Sequence, residues 1–460
     1  MENNPNKKVN NLMYAVVFIA FISTIAILLI SSVGAKYLVD SKYDSRSNRL
    51  VATVQRGSIL DRNHEVLTYS ERNDEGYKRI SKYPGLFSHV IGYMDKKYGT
   101  TGLESTYNPE LMGRGNASFM TKTENIIMNE KMGDNLVLSL DLKLQQKVQA
   151  LLQGYNGAIV VSNPKTGEIL ASYSNPTYDE RRLEEFINNE NESSMLNRVQ
   201  FGKYSPGSVM KILTSVNLLE NGFREEYEDT GSIEIGDAKI ANYNNMRYGT
   251  VDMKKAFAHS LNTYFVWANL KHLDSFKNLV DSVNDTVLKN SIVPMAPIDL
   301  NLSEDEFSNA LLGIGQGKVT LSPMILNVIT ESIYNGGYFY TPRYVNSFET
   351  ADVKTNKKLF SKKVTMPFSE QSANEVKEYM KEVVASGTAS GFGLQNAGGK
   401  TGTAELGNGK YNYFFTGFYE NEENSKCITI VLENCSNIGY NRTVETVSYT
   451  HLTLPTICSV

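Results

Sequence analysis

The stretch that decides the fold is Tyr204–Gly222, YSPGSVMKILTSVNLLENG. Pro206 and Gly207 break the chain, Val209, Ile212, Leu213, Val216 and Leu219 then recur at helical spacing, and Gly222 closes the run. Ser208 therefore opens a helix, with Lys211 one turn along the same face. In that geometry an amine can take the hydroxyl proton, and the free N–H groups of the helix start favour developing negative charge. A lone Ser-x-x-Lys is a weak pattern, ordinarily a capping serine beside a solvent-facing lysine. Its meaning depends on what the rest of the chain carries.

A second copy lies in VVSNPKTGEILASYS, Val160–Ser174, where Ser162 and Lys165 repeat the spacing and Lys165-Thr166-Gly167 adds a Lys-Thr-Gly. Pro164 stands between Ser162 and Lys165, and the segment reads as the turn of a hairpin, so the two side chains cannot share a helical face. This copy is read as a mimic. The other Lys-Thr-Gly, Lys400-Thr401-Gly402 in NAGGKTGTAE, follows glycines and leads into strand-like sequence. Glycine permits close backbone approach at a strand edge. Lys400 would supply a cation there, and Thr401 and Thr403 hydroxyls for an anionic substrate terminus. Ser-x-Asn occurs three times, at Ser215–Asn217, Ser260–Asn262 and Ser282–Asn284. The first lies on the Ser208 helix, two turns down; spacing does not choose between the other two.

The chain has 460 residues, enough for two or three folded units. Its 41% apolar and 10% aromatic content argues against disorder. A net charge of −4 with no basic stripe leaves no footprint for nucleic acid. The three cysteines, Cys427, Cys435 and Cys458, are too few for a disulfide scaffold, and no Cys/His cluster has metal-ligand spacing. GIGQGKVT fails as a phosphate loop, with Leu312 where a glycine is needed and Val319 where Ser or Thr is needed.

Residues 9–35 carry no charge and are mostly apolar, long enough to cross a hydrocarbon core of about 30 Å as a helix. Lys7 and Lys8 put residues 1–8 in the cytoplasm and the remainder outside. The run exceeds the h-region of a cleaved signal peptide, so an uncleaved anchor is expected. Residues 36–136 read as a small mixed pedestal module, including a hairpin around DRNH. From 137 to 446, strand-rich ends flank a mostly helical middle. That order implies an α+β domain whose antiparallel sheet is closed by distant parts of the chain.

With these motifs in place, the chain resembles the class B penicillin-binding proteins, the monofunctional D,D-transpeptidases of bacterial wall synthesis. RGSILDRNHEVL is similar to the family's R-G-x-I-x-D-R-N-G-x-x-L, with His64 in place of the usual glycine. FSHVIGYMDKKYGTTGLESTYNPELMG, GAIVVSNPKTGEILASYSNPTYD, YGTVDMKKAFAHSLNTYFVWA, GIGQGKVTLSPM and GGKTGTAE match family segments in family order, over roughly Val54 to Asn434. The resemblance implies an antiparallel sheet flanked by helices with an all-helical subdomain, as in the serine β-lactamases. It assigns Ser260 and Asn262 as the second motif. It further implies that Ser208 attacks the carbonyl between the last two D-alanines of a stem peptide with Lys211 as base. Ser260 shuttles the proton to the departing D-alanine, and Asn262 holds the peptide and orients Lys211. Lys400 completes the cluster, Thr401, Gly402 and Thr403 bind substrate, and the backbone N–H groups of Ser208 and Thr403 form the oxyanion hole. β-Lactams would acylate the same serine. The implied partners are peptidoglycan stem peptides and a membrane glycan polymerase of the SEDS type; no cofactor or metal is implied.

Rival readings are a D,D-carboxypeptidase or β-lactamase, a β-lactam sensor, or an impaired wall-synthesis scaffold. PMAPIDLNL lacks the deacylating Glu of a class A β-lactamase, and residues 1–8 are too short for a sensor's output region. The end departs from the family: NRTVETVSYTHLTLPTICSV has no amphipathic helix pattern, and residues 447–460 are read as a non-native tail.

Overall fold

The structure, a computed structural model, describes residues 13–14, 16–25, 54–74, 76–113, 132–189, 193–303, 305–350, 356–422 and 424–436. The expected tail at 447–460 and most of the expected anchor lie outside these residues. Residues 13–14 and 16–25 are helical, with Val17, Phe18, Ile19 and Phe21 about 60% exposed. Among the described residues no helix is long and apolar enough to cross a membrane.

The pedestal begins with β1 (Ile59–Leu60), β2 (Val66–Asn73) and β3 (Gly76–Ser81), followed by β4 (Asn135–Leu138). The DRNH turn closes β1 onto β2, and His64 takes the left-handed conformation (φ 65°) that glycine would adopt more cheaply. Asp61 holds the turn by accepting from the N–H groups of Asn63 (2.7 Å) and Glu65 (2.9 Å). After β4, Asp141 caps α1 (Leu142–Leu151), accepting from the Leu144 N–H, as its sequence position predicts.

The main sheet combines β5 (Gly157–Asn163) and β6 (Glu168–Asn175) with three strands from the far end of the chain. The segments between them are chiefly helical, including α2 (Lys211–Glu220), α3 (Asn262–Leu270) and α4 (Pro323–Tyr334). There follow β7 (Val345–Glu349), β8 (Asn356–Lys358), α5 (Glu370–Ala385), and then β9 (Ala397–Gly407), β10 (Lys410–Tyr419) and β11 (Lys426–Cys435). The order β9-β10-β11-β5-β6 is antiparallel throughout, so the sheet is closed by distant segments as expected. Its central strands are buried on both faces, which explains their nearly continuous apolar sequence.

A second sheet, β8-β7-β4-β1-β2-β3, joins the pedestal to residues 345–358. No local pattern announces that pairing, because β7 and β8 reach it from more than 200 residues away in the chain.

α2 is buried from Lys211 to Leu219 and packs against α3, the helix Leu273–Asn290 and α5. A helix covered all round belongs to the interior. Lys211 is thus carried into the core by its neighbours.

Candidate active site

The mimic resolves first. Asn163–Gly167 is the β5–β6 turn: Gly167 has φ 71° and donates to Asn163 O (2.9 Å), and the Lys165 N–H donates to Asn163 Oδ1 (2.9 Å). Lys165 is exposed, whereas Ser162 is fully buried, donating to Glu331 Oε1 on α4 and accepting from Asn327 Nδ2 (2.6 Å). Glu331 has its carboxyl pushed up to about 8 by burial, opposed in part by the Ser162 hydrogen bond. Ser162 belongs to the packing of α4 on the sheet.

Ser208 lies in a single 3₁₀ turn, Gly207–Met210, that feeds α2 at Lys211. The expected helix start is therefore tighter than an α-helical N-terminus, but the one-turn spacing is kept. Gly207 has φ 58° and donates to Gly315 O (2.8 Å). A Cβ at Gly207 would stand 2.6 Å from Thr403 O and 3.0 Å from Thr403 N. A Cβ at Gly402 would stand 2.6 Å from Pro206 O. These two glycines let the backbone of the Ser208 turn lie directly against β9, which brings the first and third motifs together.

The second motif sits at a corner between two helices. The helix Met253–Ala258 ends with Ser260 left-handed (φ 58°), its N–H donating to Phe257 O and that of Leu261 to Ala256 O. This is a Schellman-type stop with serine where glycine is usual. A strained backbone that the surroundings over-determine is common at functional sites. The corner aims Ser260 Oγ between two buried lysines. Lys211 Nζ donates to Ser260 O (2.7 Å), Asn262 Oδ1 (2.8 Å) and Ser260 Oγ (3.3 Å). Lys400 Nζ donates to Ser260 Oγ (2.9 Å) and to Thr401 O (3.2 Å). Asn262 turns its oxygen to Lys211 because its Nδ2 donates to Ala241 O (2.9 Å).

Both lysines are 0% exposed, and among the described residues no carboxylate is paired with either. Burial, then the charge of Lys400, pushes Lys211 well below the ordinary lysine range; burial pushes Lys400 down to about 7. The two amines approach one hydroxyl, so a charge on either disfavours a charge on the other. A hydroxyl can accept from one amine and donate to the other, so Ser260 Oγ is a ready proton bridge.

Of the remaining expected residues, Thr401 is half-buried with its hydroxyl 2.7 Å from that of Thr388, and Thr403 is exposed on β9. Among the described residues β9 is an edge strand, with β10 on one side and no strand on the other. Gly402 faces the Ser208 turn, as described. Ser215 is buried on α2, and Asn284 binds the backbone of Ile298 (2.8 and 2.9 Å); neither of those Ser-x-Asn copies reaches the lysines. Sequence reasoning missed two supports. Gly315 holds the Ser208 turn, and Gln316 Nε2 donates to Thr403 O (3.3 Å). Both lie in the GIGQG run, which fails as a phosphate loop and carries the family resemblance without a role for either residue.

A serine on a turn against an edge strand, followed three residues later by one of two buried lysines joined by a second serine, defines an acyl-serine enzyme of the penicillin-recognising class. Residues 157–446 match the penicillin-binding protein transpeptidase domain, and residues 56–136 match the penicillin-binding protein A dimerisation domain. The chain belongs to the penicillin-binding protein transpeptidase family. It is 27% identical over 397 residues to the peptidoglycan D,D-transpeptidase PbpA of Mycobacterium tuberculosis, covering 79% of this chain and 80% of that protein. It is 26% identical to stage V sporulation protein D of Bacillus subtilis, covering 77% of this chain and 60% of that one. The ceftriaxone acyl-enzyme structure of M. tuberculosis penicillin-binding protein A shares the fold with a TM-score of 0.78 at 22% identity, over 88% of this chain and 99% of that one. The D,D-transpeptidase domain of an Eggerthella lenta peptidoglycan glycosyltransferase gives 0.75 at 26% identity, over 87% and 99%.

Proposed function

We propose that this chain is a membrane-anchored peptidoglycan D,D-transpeptidase in which Ser208 is the nucleophile. The observation that carries this reading is the pair of buried lysines, without a carboxylate partner among the described residues, that share the Ser260 hydroxyl, one of them on the helix that the Ser208 turn opens. Neutral Lys211 accepts the Ser208 proton as Oγ attacks the carbonyl of the terminal D-alanyl-D-alanine bond. The oxyanion forms against the backbone N–H groups of Ser208 and Thr403. The proton passes through Ser260 Oγ to the amine of the departing D-alanine as the C–N bond breaks. An amine from a neighbouring stem then attacks the acyl-Ser208 ester, returns a proton along the same path and leaves a crosslink. Lys400, with the hydroxyls of Thr401 and Thr403, receives the substrate carboxylate, while Asn262 orients Lys211 and the peptide.

β-Lactams would be trapped at the same ester, as in the imipenem and penicillin G acyl-enzyme structures of the M. tuberculosis relative. Residues 9–35 form the anchor in this reading, supported by the exposed apolar side chains of the helix at 13–14 and 16–25. Residues 36–136 form the pedestal, 137–446 the transpeptidase domain and 447–460 a non-native tail. A SEDS-type polymerase is the partner the resemblance implies.

Fluorescent penicillin tests the reading directly. Persistent label is expected on the wild type and on Ser162→Ala, and none on folded Ser208→Ala. A label that survives Ser208→Ala would overturn the assignment, and one that appears and quickly vanishes would mark a hydrolase.

A further inference from the structure

Arg198 is the largest fully buried side chain among the described residues, and no step above uses it. Its guanidinium makes a two-pronged pair with Glu433, Nε to Oε2 at 2.8 Å and Nη2 to Oε1 at 3.2 Å, and also binds Ser193 through both O (2.8 Å, from Nη1) and Oγ. The Tyr204 hydroxyl donates to the same Glu433 Oε2 at 2.8 Å. Glu433 lies near the end of β11, and 229 residues separate it from Tyr204.

Tyr204 stands four residues before Ser208. Its backbone exchanges both hydrogen bonds with Leu321 (3.1 and 3.0 Å), and Ser205 and Gly207 both donate to Gly315 O. Its ring meets Phe414 edge-on at 6.1 Å, and Phe414 is the cross-strand partner of Gly402. A Cβ at Gly202 would stand 2.5 Å from the Tyr204 ring, so the glycine makes room for it. The hydroxyl thus ties the segment leading into the nucleophile turn to a fixed carboxylate, while the ring abuts Phe414 of β10, the strand paired with the one that supplies Thr403. A planar guanidinium fork sets the carboxylate plane, which a flexible ammonium would not.

We propose that Glu433, oriented by Arg198, is a positioning residue that acts through Tyr204 to set the angle of the Ser208 turn against the Thr403 amide. The inference rests on the acyl-serine reading above. A misplacement of about 1 Å at a reacting group lowers rate far more than affinity. The clamp should therefore appear in the rate of acylation and leave the prior, non-covalent binding alone.

The test is stopped-flow acylation of the full chain by a chromogenic cephalosporin, resolved into pre-acylation affinity and limiting rate, with thermal unfolding alongside. Tyr204→Phe removes one hydroxyl and keeps the ring, so it avoids the folding risk of touching Arg198. We expect Tyr204→Phe and Glu433→Gln each to lower the limiting rate roughly tenfold with affinity unchanged, and the double variant to fall no further than the worse single one, the non-additivity of one shared contact. Unchanged limiting rates, or losses confined to the unfolding temperature, would overturn the clamp while leaving the acyl-serine reading standing. A wild type that forms no Ser208 adduct would overturn both.

Discussion

Two clusters of buried positive charge among the described residues are treated in opposite ways. In the pedestal, Arg56 and Arg79 share Glu104 at 2.6 and 2.7 Å, with all three nearly inaccessible. Arg56 also donates to Asn108 Oδ1 and Glu104 O, both at 2.5 Å, and Arg79 to Gly57 O at 2.8 Å. In the catalytic domain, Lys211 and Lys400 share a hydroxyl, with no anion among their partners in the described residues. Arginine cannot shed its proton inside a protein, so a buried arginine requires a carboxylate. Lysine can shed its proton, and an unpaired buried lysine does so. The paired cluster fixes the shape of the pedestal, whereas the unpaired one supplies the base in the proposed mechanism.

The largest effect that would break this contrast is at Lys211. Lys211→Ala should lower the penicillin acylation rate about 10²–10⁴-fold, in line with the loss of a general base. Stability should hardly fall, because the side chain removed was a poorly solvated amine. Lys211→Arg should not rescue the rate, since a guanidinium stays charged; rescue would refute the role of a neutral amine.

Glu104→Gln should do the converse. Leaving two buried arginines without their carboxylate should cost about 3–5 kcal/mol in denaturant unfolding, with acylation by the folded fraction unchanged. Burial alone would raise the Glu104 carboxyl, but Arg79 and then Arg56 hold it below the usual carboxylate range. Its contribution is therefore present above the unfolded carboxylate range and lost as pH falls through its depressed value, so the Glu104→Gln deficit should shrink in acid.

The pH profile of acylation sharpens the lysine side. The proposed mechanism needs Lys211 neutral and Lys400 charged, so the rate should rise as Lys211 loses its proton and fall as Lys400 does, through about 7. Each limb should change about tenfold per pH unit, with the two values belonging to the pair. Lys400→Arg should remove the alkaline limb; if it persists, the falling group lies elsewhere.

The smallest effects concern the two left-handed serine and histidine corners. Glycine at His64 or at Ser260 should relieve backbone strain by about 0.5–1 kcal/mol in thermal unfolding. Only Ser260→Gly should also lower acylation. Equal acylation in the two variants would remove Ser260 from the proton path.

Much of this was legible because its signals are local. The apolar spacing after Pro206-Gly207 marks α2, Pro164 disqualifies the mimic, and Asp141 and the DRNH turn announce a cap and a hairpin. The choice between Ser260 and Ser282 was not local: the two copies have the same spacing, and only the corner at Ser260 faces Lys211. Nor could the chain show that β7 and β8 complete the pedestal sheet, since strand pairing depends on contacts remote in sequence.

The sequence by itself determined which segments are helices and strands, where the chain turns, and which residue types could do acyl chemistry, because propensity, periodicity and turn residues act within a few positions of one another. The tertiary structure alone decided that Lys211 and Lys400 lose their water together and share Ser260, and that Glu433 reaches Tyr204. Burial and charge proximity are properties of the packed interior, and a lysine becomes a base only when segments far apart in the chain close over it.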